Sequence, residues 1–178
     1  LTVTSPVGDL TVNNTGSGTA TVSGMTNGKT LTTQGAGQIH IQTSLTEGQS
    51  VTVIATANDN IKITESGAGQ VNVQGNLALD NNDTMSFTLN GNGTTVVNQT
   101  GTLSLGNAPL SLSLANGYIP TPAGGDTITL FANDGVDAVV GTFSGQAEGS
   151  VIQIGGVGFT ISYTGGDGND IVLTSLST

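Results

Sequence analysis

Cysteine is absent from the 178 residues, so no disulfide framework, thiolate metal site or cysteine nucleophile is open to this chain. Arginine is absent as well. The only basic side chains are Lys29 and Lys62, against 12 acidic residues and a formal net charge of −10. Nucleic acids and anionic lipids are bound mainly through Lys and Arg on their phosphates, so neither is an expected partner. No run approaches the ~18 consecutive apolar residues of a membrane-spanning helix, and no basic-then-apolar segment opens the chain, so no membrane insertion is expected. Tryptophan is missing and aromatics reach only 3%. No sugar-stacking cluster is evident, and any core must be narrow and filled by Val, Ile, Leu and Ala.

What is present is 28 Gly and a large share of Thr, Asn and Ser around short alternating runs. From Leu1 to about Leu114 these read "LTVT", "DLTVN", "TATVS", "QIHIQT", "SVTVIAT", "IKIT", "QVNVQ", "NLAL", "MSFTLN", "TLSL" and "LSLSL". Aliphatics alternate with polar residues, the period of strands with one buried and one wet face. A motif recurs at Gly16 ("GSGTATVS"), Gly35 ("GAGQIHIQ"), Gly67 ("GAGQVNVQ") and, more loosely, Gly91 ("GNGTTVVN"). Each copy is a glycine turn feeding a strand with an inward pair: Ala20/Val22, Ile39/Ile41, Val71/Val73 or Val96/Val97. Units of this size cannot bury a face alone and must stack. The expected fold is all-β, a right-handed parallel β-helix or β-solenoid with a C-terminal β cap. The alternative is an antiparallel β-sandwich, disfavoured because residues 1–115 hold a single aromatic, Phe87.

After "NGYIPTPAGGD" the texture changes. Pro120 and Pro122 break the pattern, and longer runs follow: "DTITLFA", "AVVGTFS", "SVIQIGG", "GFTISYT" and "NDIVLTSL". Phe131, Phe143, Phe159 and Tyr163 all lie here, enough for a wider core. Residues 1–115 are expected to form solenoid repeats and 116–178 a capping segment that covers the open end, in one continuous unit. The opening directly in "LTVT" is what a mature form or an excised module would show.

The segment "GDTITLFANDGVDAVVGTFSGQAEGSVIQIGGVGFTISYTGGDGNDIVLT", about residues 125–174, resembles the closing module of large bacterial surface proteins with autotransporter-associated β-strand repeats. "NNTGSGTATVSG" and "QTGTLSLGNAPLSLSL" are similar to the strand repeats of that family. The resemblance implies export, a β-solenoid and a role at the cell surface, without a defined enzymatic activity. This chain departs from the family in its shortness and in having no membrane β-barrel.

Three acidic clusters are candidate cation sites. Gly165 to Leu173 fit the nonapeptide G-G-x-G-x-D-x-U-x that binds Ca²⁺ in stacked β-rolls, with Asp167, Asn169 and Asp170 as ligands. One copy supplies half a cage. The same residues make a hairpin turn between "GFTISYT" and "DIVLT", which is the expectation. In "ANDGVDA", Asn133, Asp134 and Asp137 are spaced for one cation, although Asn-Asp-Gly is first a turn signal. "DNND", from Asp80 to Asp83, is read the same way. The single histidine, His40, alternates with Ile39 and Ile41 and is expected on the polar face, not as a catalytic base. The acids sit in turn clusters with no Arg to hold an acidic sugar, so no glycosidase carboxylate pair and no enzyme is expected. Four N-x-[ST] sequons, at Asn13, Asn82, Asn92 and Asn98, are candidate glycosylation acceptors in an exported chain.

The function these features point to is structural: a secreted, non-catalytic β protein of the bacterial cell surface or extracellular matrix. Few Lys and Pro interrupt its strands, and those are the usual devices against edge pairing. An N-terminal strand spanning Leu1, Val3, Leu10 and Val12 is expected to pair with other copies of the chain and build filaments. The alternatives are an adhesin or carbohydrate-binding module, with glycans or cell-surface components as partners, and a module stabilised by Ca²⁺, the only cofactor considered.

Overall fold

A computed structural model describes residues 1–55, 61–121 and 125–176; Pro122, read above as a pattern breaker, lies outside them. The alternating runs wind into parallel coils. The first coil is β1 (Thr2–Thr4) and β2 (Leu10–Asn13), the second β3 (Ala20–Ser23) and β4 (Thr30–Gln34), and the third β5 (Ile39–Thr43) and β6 (Ser50–Ala55). The fourth adds a short third side: β7 (Ile61–Glu65), β8 (Gln70–Gln74) and β9 (Leu77–Ala78). The fifth repeats this with β10 (Met85–Leu89), β11 (Thr95–Thr100) and β12 (Leu103–Ser104). After β13 (Leu110–Leu114) and β14 (Thr127–Asn133) the chain closes with β15 (Val151–Ile154), β16 (Val157–Gly165) and β17 (Asp170–Ser175). No helix occurs among the described residues.

The result is a β-solenoid of about five turns. One sheet has the order β1-β3-β5-β7-β10-β13, all parallel. The facing sheet runs β2-β4-β6-β8-β11-β14 in parallel and continues through β17, β16 and β15 in antiparallel. β9 and β12 pair as the third side. A sandwich is excluded, because antiparallel pairing begins only at β17.

Stacking explains the uneven motif spacing. Ile39 sits over Ala20, 19 residues on, in the first sheet. The copies at Gly67 and Gly91 instead feed β8 and β11, which pair with each other in the second sheet. The interval from Gly35 to Gly67 is one coil plus half of the next. Close approach fixes the glycine: Gly35 has φ of 86°, and a Cβ there would meet the Asn14 carbonyl of the coil below.

The core is a set of ladders in which like sits on like. Val22, Ile41, Ile63 and Met85 stack through the first sheet, and Val51, Val71, Val97, Phe131 and Ile171 through the second, all buried. The coil lengthens toward the C-terminus: the step is 19 residues from Thr2 to Thr21, 25 from Met85 to Leu110 and 34 from Val97 to Phe131. The inward residues grow in the same direction, from Ala20 and Val22 to Phe87 and Phe131. Phe87, Phe131, Phe143 and Tyr163 form a continuous run of rings with centroids 5.9 to 6.3 Å apart.

β14, placed by its sequence texture in the cap, is the last parallel strand of the second sheet and the first antiparallel partner of the cap. "AVVGTFS" forms no strand of its own; Val140 and Phe143 make isolated bridges to Ser104 and Gln146. The linker into β14 is pinned by Asp126. Its carboxylate accepts from Tyr118 Oη at 2.8 Å and Thr121 N at 3.0 Å, and Ser175 Oγ donates to Thr121 O at 2.7 Å.

Candidate functional site

The topology brings two of the three acidic clusters together. β14 ends at Asn133, and β17, antiparallel to it with Phe131 opposite Ile171, begins at Asp170. The loop leaving the first strand and the turn entering the second therefore lie at one end of the sheet. The hairpin expected at "GGDGN" is present, with Gly165 opposite Asp170. Gly166, at φ of 58°, lies against the Asp170 carboxylate, where a side chain would collide with Oδ2.

Hydrogen bonds knit the loops. Asp170 Oδ1 accepts from Asn133 N at 2.9 Å. The Asn133 and Asn169 side-chain nitrogens both donate to the Asp137 carbonyl oxygen, at 2.8 and 3.1 Å. Asn169 Nδ2 also lies 3.4 Å from the carbonyls of Asp134 and Gly135, so its amide sits within the 134–137 loop. Asp134 Oδ1 accepts from Gly101 N at 2.9 Å, tying the loop to the coil below.

Three oxygens in this cluster are buried and without a hydrogen-bond partner: Asn133 Oδ1, Asp137 Oδ2 and Asn169 Oδ1. Asn133 is 3% exposed and Asn169 5%. Their orientation is fixed, because turning either amide over would set its oxygen against the carbonyl it now donates to. Gln99, the residue beneath Asn133 in the ladder, is buried with its own Oε1 unpartnered. Buried polar atoms are normally satisfied, so a group of orphaned acceptors needs a physical cause. Among the described residues no three carboxylate, imidazole or thiolate side chains gather into a metal cluster. The three orphaned oxygens of these loops belong to two amides and one carboxylate. Asp170 is half-buried, and Asp167, in the turn, is exposed.

The third cluster is separate. Asp83 is fully buried, and its Oδ2 accepts from Asp80 N at 2.9 Å while Oδ1 has no partner. Burial pushes its carboxyl up to about 6. His40 lies on the outward face, half-buried, in register with Lys62 and 3.0 Å from Thr64 Oγ1. Burial, and after it the Lys62 charge, lower its pKa, leaving a neutral imidazole at pH 7. Of the sequons, Asn13, Asn82 and Asn92 are exposed. Asn98 Nδ2, the atom a glycan would take, donates to Asn72 Oδ1 at 2.8 Å within a strand.

The residues proposed for pairing between subunits fall on two strands, not one. Val3 belongs to β1, and Leu10 and Val12 to β2; each strand is the free edge of its sheet. Leu1 is 76% exposed and Val12 is buried. Ser5 N donates to Ser23 O and Thr21 N to Leu1 O, so odd residues of β1 face β3 and Thr2 and Thr4 turn their backbone groups to the open edge. At the other end of this sheet, Met85 N donates to Pro109 O and Ala115 N to Leu89 O. By the same alternation, the backbone groups of Leu110, Leu112 and Leu114 face away from β10.

Two buried polar groups carried no sequence signal. Glu65 ends the run "IKITE" and reads as a strand terminus, but its carboxylate is fully enclosed. It accepts from Leu45 N at 3.0 Å, Gly67 N at 2.6 Å and the Thr43 hydroxyl. Gln99 sits where alternation expects an aliphatic.

No family model matches the chain, and no curated protein or solved structure matches it either.

Proposed function

We propose that this chain is a non-catalytic structural protein of the bacterial cell surface or extracellular matrix that stacks end to end with copies of itself into filaments. The observation that carries this reading is the pair of free edges on one parallel sheet. β13, an internal strand, offers Leu110 and Leu112 backbone groups and half-buried side chains at one end, while the β15–β16 turn leans on Leu114 through Gly155. β1 offers Thr2 and Thr4 at the other end. Because every pair in the sheet is parallel, β1 of a second copy meets β13 in the sense the ladder already has. Such a heterologous contact does not close on itself and generates a filament. Leu1 and Val7, 76% and 94% exposed, would be covered at the junction. The acidic, arginine-free surface and the resemblance of residues 125–174 to surface-protein closing modules support an extracellular setting.

Electron microscopy of the purified chain at micromolar concentration is expected to show filaments. Six to nine strands per subunit give an axial rise between about 29 and 43 Å at ~4.8 Å per strand. Thr4→Pro removes an edge-facing N–H without removing a bond to β3, so the variant should stay folded and monomeric. Separate particles from the wild-type chain, or filaments that persist in Thr4→Pro, would overturn the reading.

A further inference from the structure

We propose that the loop 133–137 and the turn 166–169 together form one Ca²⁺ site, with Asn133 Oδ1, Asn169 Oδ1 and Asp137 Oδ2 as side-chain ligands. Neither loop is a site alone. The orphaned oxygens supply the argument: of three buried acceptors with no donor among the described residues, two lie on the amides that donate to the Asp137 main-chain carbonyl and the third on the Asp137 side chain itself. Leaving them bare costs the full desolvation of each. A hard cation satisfies several acceptors at once, and Ca²⁺ takes amide carbonyl oxygens alongside carboxylates, in a flexible shell of 6–8 ligands completed by water. Mg²⁺ demands a stricter octahedron and a smaller cage.

Charge points the same way. Asp134, Asp137, Asp167 and Asp170 lie on these two loops, and neither basic side chain is near: Lys29 precedes β4 and Lys62 is on β7, in earlier coils. Asp170 and Asp134 are positioned by Asn133 N and Gly101 N, which holds negative charge beside the site without using the orphaned atoms. A cation here would clamp β14 to β17, the strands at which the parallel stack turns antiparallel. The inference stands on the cap alone and is independent of filament formation.

The test is calorimetric titration of the chelator-treated full-length chain with CaCl₂, with the melting temperature followed in parallel. One Ca²⁺ per chain is expected, binding at about 10⁻⁶ to 10⁻³ M, well ahead of Mg²⁺. The melting temperature should rise with Ca²⁺ and fall back in chelator. Asp137→Asn places a donor among the orphaned acceptors. It should melt no lower than wild type in chelator, while its Ca²⁺ affinity drops at least ten-fold and the thermal response disappears. Asn169→Ala should lose binding as well, and Glu47→Gln, on a distant exposed turn, should retain it. No heat and no melting shift up to about 10 mM CaCl₂ would overturn the proposal, because that exceeds the weakest extracellular sites. Binding that survives Asp137→Asn would overturn it too, by placing the ion elsewhere.

Discussion

The coils and the cap solve the same problem in opposite ways. In the coils each strand is paired with strands about a full circuit away in sequence, and the core is a column of small aliphatics in which Val sits on Ile and Ile on Met. In the cap, β15, β16 and β17 pair with their chain neighbours as antiparallel hairpins, and Phe143, Phe159 and Tyr163 fill the space. A parallel stack has no internal way to stop, since each coil presents an edge to the next. Reversing strand direction and inserting large side chains ends it on one sheet. The other sheet ends at β13 with no such reversal. Termination is therefore local to a sheet, and the other sheet keeps an unpaired edge at β13.

The strongest way to break this contrast is to remove its hinge. Phe131 stacks between Val97 of the coils and Ile171 of the cap, with its ring against both Phe87 and Phe143. Phe131→Ala should cost about 3–5 kcal/mol as a buried aromatic truncation. Limited proteolysis should then release the region after Asn133 before the coils are cut. Uniform cleavage along the chain would mean that coils and cap unfold as one unit.

A second substitution tests the coils by themselves. Glu65 occupies the rung between Thr43 and Phe87, an inward position where the pattern demands an apolar side chain. Its carboxylate holds Leu45 N and Gly67 N, the backbone of two successive corners. Glu65→Ala strands both donors and should cost about 3 kcal/mol, whereas Glu65→Gln keeps an acceptor for them and should cost about 1 kcal/mol, read by urea denaturation. Equal losses in the two variants would show that the charge, not the hydrogen bonding, fixes the corner.

The coils were the more legible half of the sequence. Period-two alternation and the repeated glycine turn predict short strands in a stack, and the inward pairs named from them are all buried. The circuit length was hidden because consecutive motif copies feed different sheets, so Gly35 and Gly67 are one and a half coils apart. The strands of the third side were legible as the runs "NLAL" and "TLSL", but that β9 and β12 pair with each other as a separate side was not, because alternation does not say which sheet a strand joins. Glu65 and Gln99 escaped because alternation reports a face and says nothing of the corner groups that can satisfy a polar residue there. At the site, each acidic loop is visible as a turn, but their meeting depends on β17 returning beside β14. Asn133 and Asp170 lie 37 residues apart, and no local pattern encodes that pairing.

The smallest effect separates coil from cap by pH. Asp83, at a corner of the coils, has its carboxyl raised by burial to about 6, from an ordinary 3.8, so the folded state holds its proton more tightly than the unfolded chain does. Stability from this group should rise as pH falls from above 6 toward 4, by on the order of 1 kcal/mol, and then level off. Asp126 behaves oppositely. The hydrogen bond from Thr121 N, opposed by burial and aided by the Tyr118 hydroxyl, holds its carboxyl below the ordinary value. Its contribution is present above that value and is lost as pH falls through the lowered one. The melting temperature should therefore pass through a maximum in mild acid. Asp83→Asn should raise it at pH 7 and flatten the limb between 7 and 5, leaving the fall below 4 intact. Asp126→Asn should weaken that fall and leave the upper limb unchanged. If Asp83→Asn shifts both limbs together, the corner of the coil and the linker to the cap titrate as one coupled system, and the division between the two regions does not extend to their electrostatics.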